Sequence, residues 1–271
     1  MTDSVTNTFT QIYQAEVKAA YQRENAILRR TVRSRTMTGA NRIYFPTLGK
    51  GEATSKARHA DVVPMNLEHG RVYAEPEDFY APEYIDDLDA AKTNQSLRTD
   101  YARASAAALG RATDNVIISA LDTTSNTTSA AALDSDGGGA LTLPVVTGLS
   151  QELTDRDVPP DMLRFAVINP ATLSELLQVE GATSSDFTRQ QLLTTGREPA
   201  YWMGFNWIVH TGLPAGVKGY FYHQPSVGLG IGKDLTSKTD WVPEKVAWLV
   251  NSWMSMGAVV IDDDGVIELT A

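Results

Sequence analysis

The chain has 271 residues, with 23 Lys and Arg against 33 Asp and Glu and no cysteine, which excludes disulfide staples, thiol catalysis and cysteine-ligated metal sites. Its 42% hydrophobic and 21% charged residues are those of a folded globular protein. No apolar run approaches the roughly 18 residues of a membrane helix, and the polar start Met1-Thr2-Asp3-Ser4 lacks a signal pattern, so the sequence reads as a soluble protein of a reducing compartment. The net charge of −10 is unevenly spread: residues 1–59 hold ten basic and four acidic residues, and residues 60–100 hold three against ten. A basic leading arm before an acidic stretch suggests that one meets the other, within a subunit or between subunits. A solvated surface and a nucleic-acid contact are the alternatives for the arm.

In chain order, Phe9, Ile12, Tyr13, Val17, Ala20 and Tyr21 predict an amphipathic helix from Thr8 to about Arg30. The tract Arg29-Arg30-Thr31-Val32-Arg33-Ser34-Arg35 follows, then a strand, Arg42 to Pro46, which the proline is expected to end. Residues 47–74 are small and polar and lack a helical period. Such a stretch cannot form its own core, so it is either a loose loop or an extended hairpin whose partner surface lies on another molecule. Aromatic and acidic residues alternate from Phe79 to Asp89. A long helix is then predicted from about Ser96 to Leu121, on the order of 40 Å, capped by Asn94 or Ser96. Thr123 to Gly139 is of low complexity and reads as a surface loop or insertion tip. Beyond it the pattern turns α/β: helix 144–155, strand Arg164–Ile168, helix 171–178, and strands at 206–210, 218–223, 226–231, 245–251, 255–261 and 266–269.

The search for chemistry ends without a catalytic reading. Gly228-Leu229-Gly230-Ile231-Gly232-Lys233 has three residues between its outer glycines where a phosphate loop needs four, and Asp234 stands where Ser or Thr would bind magnesium. A glycine-bearing strand with a turn fits better. Asp262-Asp263-Asp264-Gly265 lacks the spaced oxygens of a calcium loop and reads as a hairpin turn. His59, His69, His210 and His223 form no ligand frame, and no nucleophile elbow is present. The carboxylates Glu75, Glu77, Asp78, Glu83, Asp86, Asp87 and Asp89 fit a solvated or partner-facing surface better than an acid/base pair. No metal or cofactor is expected.

Taken in order, several segments resemble the major capsid proteins of tailed bacteriophages with the Hong Kong 97-type fold. They are Arg164-Phe165-Ala166-Val167-Ile168-Asn169-Pro170, the run Trp202 to Pro214, His223-Gln224-Pro225-Ser226-Val227-Gly228-Leu229-Gly230, Val242-Pro243-Glu244-Lys245 and the closing run Ser252 to Asp262. Together they span about residues 40–271. The resemblance implies an α+β shell subunit and no enzyme: an N-terminal arm (1–41), an extended hairpin loop (42–75) reaching over a neighbouring subunit, a peripheral domain (76–142 and 236–271) with a spine helix at about 96–122, and an axial α/β domain (143–235). Copies would form pentamers and hexamers of an icosahedral shell around double-stranded DNA, in the virion and, during assembly, in the host cytoplasm.

Contacts between subunits are then expected at Arg33, Arg35, Lys50, Glu52, Lys56 and Arg58, and at Glu77, Asp78, Asp86 and Asp87 on the acidic side. The chain lacks the helical leader that some relatives fuse ahead of the shell domain, which implies a separate scaffolding protein or assembly without one, beside a portal; packaged DNA would be touched non-specifically if at all, and no membrane. Some relatives lock their shells with a Lys–Asn isopeptide bond; Lys50 or Lys56 is available, but no acidic catalyst can be placed. An encapsulin-like nanocompartment shell is the alternative of the same fold, and an α/β enzyme using the 75–89 carboxylates is the alternative of another class.

Overall fold

The computed structural model describes residues 26–39, 41–86, 97–134, 137–178 and 201–271. The strands and helices in chain order are β1 (Arg33–Thr36), β2 (Ile43–Leu48), β3 (His69–Ala74), β4 (Glu77–Asp86), α1 (Leu97–Leu121), β5 (Thr127–Ser129), α2 (Ala130–Leu133), α3 (Leu143–Asp155), β6 (Arg164–Ile168), α4 (Pro170–Leu176), β7 (Asn206–Val209), β8 (Val217–His223), β9 (Val227–Val242), β10 (Ala247–Val260) and β11 (Val266–Thr270). They build a four-stranded sheet in the order β1-β9-β10-β4, a five-stranded sheet in the order β5-β11-β8-β6-β7, and the separate two-stranded ribbon β2-β3.

The core follows from the pleat. Consecutive strand residues point to opposite faces, and β8 uses both: Tyr220 and Tyr222 join α1 residues Ile117 and Leu121 and the β9 residues Leu229 and Ile231, whereas Phe221 packs with Leu149 and Leu153 of α3 and Leu176 of α4. The five-stranded sheet is therefore covered on both faces, and α1 shares one core with both sheets. Its alanine-rich sequence, with Ala107, Leu109, Ile117, Ile118 and Leu121 buried, lets the strands approach closely.

The chain passes between the sheets twice. A 3-10 turn at Gln224–Ser226 leads from β8 to β9, and another at Asp263–Gly265 leads from β10 to β11. The two turns touch: Ile261 N donates to Ser226 O at 2.8 Å, and a side chain at Gly265 would fall within 2.7 Å of Ser226 Cβ. The triple aspartate thus joins strands of different sheets and is no hairpin turn. Asp263 accepts from Thr124 Oγ1 at 2.6 Å and from Ser125 Oγ, which pins the end of α1 to this junction. Burial opposes ionisation there, but those two hydroxyls together with the Ser125 amide and the Arg156 charge outweigh it and hold the Asp263 carboxyl below the usual range.

Other expectations are revised. The low-complexity stretch after Thr123 is no insertion tip: β5 pairs in parallel with β11 and α2 follows, so it completes a sheet edge. Small polar residues conceal a strand whose partner is remote in sequence. The two segments 245–251 and 255–261 are one strand, β10, with register shifts near Ser255. The glycine motif contains no turn, because β9 runs unbroken from Val227 to Val242; it therefore crosses residues 235 and 236 within one strand. Pro46 does not end its ladder. Gly49 N donates to Glu68 O at 2.9 Å, so alternate pairs bond, and Pro46 opposite Arg71 falls in a non-bonded pair where no donor is needed. At the arm, Leu28–Thr31 is a 3-10 turn instead of the end of an α-helix. Residues 26 and 27 before it are not helical, and residues 8–25 of that predicted helix, the capping residues Asn94 and Ser96, and Asp87 lie outside the described residues.

Candidate functional site

The β2-β3 ribbon sits on the four-stranded sheet because of glycine. Gly228 and Gly230 share one face of β9, and a Cβ on them would lie 2.8 Å from Phe45 Cζ and 3.0 Å from Ile43 Cδ1. Without side chains there, Ile43, Phe45 and Ala74 bury themselves against β9, Val259 and Ile261. Gly257, opposite Gly230 on β10, makes the same room for the Glu75 backbone.

The ribbon's other face carries an arginine–tyrosine ladder. The Tyr44 and Tyr73 rings meet edge-on at 5.9 Å, Arg42 stacks 4.4 Å over Tyr73, and Arg71 stacks 5.0 Å over Tyr44. Arg42 also pairs with Glu75 at 2.8 Å. Arg35 of β1 donates to the Tyr44 carbonyl, so the β1 edge continues the ladder.

Beyond Gly49 and Glu68 the hairpin has no core. Val62, Val63 and Met65 are 75%, 64% and 54% exposed, and Glu52, Lys56 and Arg58 are exposed as well. Lys50 differs: its Nζ lies 3.2 Å from Asp157 at the end of α3 in the same subunit. Both groups are largely solvated, so the pair orients the hairpin's root more than it stabilises it.

The acidic residues sit at the opposite side of the sheet. β1 and β4 are its two edges, three strand spacings or about 14 Å apart. Glu77, Asp78 and Asp86 are exposed on β4. Glu77 and Glu83 oppose Met256 and Val250 on one face, and Asp78 opposes Ser255 on the other, so these carboxylates diverge instead of converging into an acid/base pair. Among the described residues, no group of three potential ligands could hold a metal, and no helix is long and apolar enough to cross a membrane.

The basic arm is tied down at two points. Arg29 makes a bidentate pair with Asp234 of β9, at 3.1 and 3.0 Å. The guanidinium hydrogen bond is the main reason that carboxyl is held below its usual range. The second point escapes sequence reasoning. Asp114 of α1 is fully buried and accepts from Leu28 N at 3.0 Å and Ile27 N at 3.2 Å, with His210 Nε2 at 3.4 Å. His210 Nδ1 accepts from Gly212 N at 2.9 Å, so the ring carries its proton on Nε2, facing Asp114. One carboxylate thereby joins the arm, the spine helix and the end of β7. The only sequence signal is an Asp where the helical period calls for an apolar residue.

These features fit a shell subunit: uncovered surfaces of opposite charge around a core in which, among the described residues, no group of potential metal ligands converges. The phage capsid protein family matches residues 5–271, and the chain belongs to that family. It is therefore a major capsid protein, a self-associating structural component of the virion and not an enzyme, and the nanocompartment alternative is not favoured. Its fold is that of solved capsids. A structure of the capsid of cyanophage P-SCSP1u aligns with a TM-score of 0.77 at 18% identity, covering 100% of this chain and 95% of that one. The capsid of Ralstonia phage GP4 aligns at 0.69 and 11%, covering 92% of each. A Mycobacterium phage Che8 chain aligns at 0.66 and 17%, covering 85% and 84%. No curated protein matches the chain.

Proposed function

We propose that this subunit builds pentamers and hexamers by laying the distal part of its β2-β3 hairpin over the next subunit. The observation that carries the reading is the exposure of Val62, Val63 and Met65 on a segment without a core of its own, because apolar side chains on an extended ribbon are stabilised only by an external surface. Glu52, Lys56 and Arg58 then fix pairing and register. In this reading residues 1–41 are the arm, 76–142 and 236–271 the peripheral part around α1, and 143–235 the axial part meeting its copies at the symmetry axes. The β9 strand ties the last two parts together. A separate scaffolding protein and a portal complete assembly in the host cytoplasm, and any contact with packaged double-stranded DNA is without sequence preference.

The test is the double variant Lys56→Glu, Arg58→Glu beside one in which residues 51–66 are replaced by a two-residue turn. Both are expected to keep the wild-type circular dichroism spectrum and to yield no closed shells by negative-stain microscopy. Normal shells from the shortened hairpin would overturn the reading.

A further inference from the structure

The two edges of the four-stranded sheet carry opposite charge. At the β1 edge, Arg30 and Arg33 line an open groove of about 620 Å³ with Ser34 and Gln224. Arg33 pairs in register with Gly228 and Arg35 with Gly230, which places both on the ribbon-bearing face and joins them to the ladder through Arg35 and Tyr44. Arg30, Arg33 and Arg71 have no carboxylate partner among the described residues. At the β4 edge, Glu77, Asp78 and Glu83 have no cationic partner among the described residues, and no Lys or Arg occurs from Val72 to Ala91.

We propose that the arginine edge of one copy, Arg30 and Arg33 with the ladder beside them, seats against the acidic β4 edge of a second copy. The two patches are different surfaces on opposite sides of one sheet. Contact between them is heterologous, and a heterologous contact builds a ring where its repeated rotation closes, as five- and six-membered capsomers require, and an open filament where it does not. The exposed carboxylates are spread along β4, Glu77 and Glu83 on one face and Asp78 on the other, and an arginine guanidinium can pair with each in bidentate fashion. Acidic partner and basic patch belong to the same polypeptide, so every interface of the ring is identical. This rests on the self-association proposed above, and adds to it which edges meet.

The experiment compares four full-length proteins: wild type, Arg30→Glu with Arg33→Glu, Glu77→Lys with Glu83→Lys, and the chain carrying all four changes. Like charges facing across an interface cost several kcal/mol, so each double variant is expected to lose ring and shell yield by about tenfold or more. The four-fold variant, with its charges exchanged, recovers it. Mixing the two double variants also recovers six-membered rings, where they alternate, and recovers five-membered rings poorly. Thermal melts of the unassembled subunits establish that all four fold. A folded exchange variant and a mixture that both fail to recover assembly overturn the proposal. Arginine variants that assemble normally but retain less DNA overturn it too, and assign the groove to nucleic acid. Assembly is run with the separate scaffolding protein proposed above, and failure of the wild type to form rings or shells under those conditions refutes the pentamer and hexamer reading instead.

Discussion

Replacing Asp114 by alanine tests whether one buried carboxylate holds the arm to the spine helix. The substitution removes the acceptor for Leu28 N, Ile27 N and the His210 ring. Leu28 and His210 are buried, at 0% and 4% exposure, so water cannot replace the lost acceptor, whereas half-buried Ile27 can rehydrate. A buried donor left unmade costs about 1–3 kcal/mol. The two dry donors put Asp114→Ala at about 2–6 kcal/mol. For a chain of this size that lowers Tm by about 4–24 °C. Asp114→Asn should fall nearer to alanine than to wild type. Its one oxygen serves Leu28, but its amide then faces a second donor, either Ile27 N–H or the Nε2–H that Gly212 fixes on His210. The assay is urea unfolding of the unassembled subunit followed by tryptophan fluorescence, with hydrogen exchange at the Leu28 amide. Stability within about 1 kcal/mol of wild type, with Leu28 still protected, would refute the account.

Three further outcomes follow from the geometry. Gly257→Ala puts a methyl 2.8 Å from the Glu75 carbonyl carbon and nearer still to its oxygen; backbone must shift, so the ribbon root loosens and trypsin should cleave at Arg71 faster than in wild type. Arg164→Met removes a guanidinium that is 1% exposed and satisfies the Pro159, Ser150 and Val158 carbonyls and the Thr154 hydroxyl; stranding those acceptors should lower stability by about 3 kcal/mol or more in the same urea assay. Glu268→Gln should stabilise. Burial, and then the Asp122 charge, raise the folded-state pKa of Glu268, so its ionisation opposes folding as pH rises from the ordinary glutamate range through the raised value. The Gln variant should therefore melt higher at pH 7, with the gain fading below about pH 4, and a pH-independent difference would contradict this.

The long helix ending at Leu121, the strand Arg164–Ile168 and the lack of a core in residues 47–74 were legible in the sequence, because each is a local pattern: a 3.6-residue period, a short apolar run, and a stretch with nothing to bury, which left loop and hairpin open. So was the class of protein, through segments whose order survives divergence. What the sequence could not show depends on partners remote along the chain. The glycines at 228 and 230 read as a strand with a turn and Gly257 as one position of another strand, and their role as a docking face stayed hidden, because a missing side chain has meaning only once Phe45, Ile43 and Glu75 lie against it. Thr127–Ser129 carries no strand pattern and is a strand because β11 offers it an edge. Asp114 resembles any polar residue on an alanine helix until the amides of Ile27 and Leu28, more than eighty residues away, converge on it. The charge blocks at the two ends of residues 1–100 were plain in the sequence, but only the strand order β1-β9-β10-β4 put them on opposite edges of one sheet, since strand neighbours are chosen by packing across the core and not by proximity along the chain.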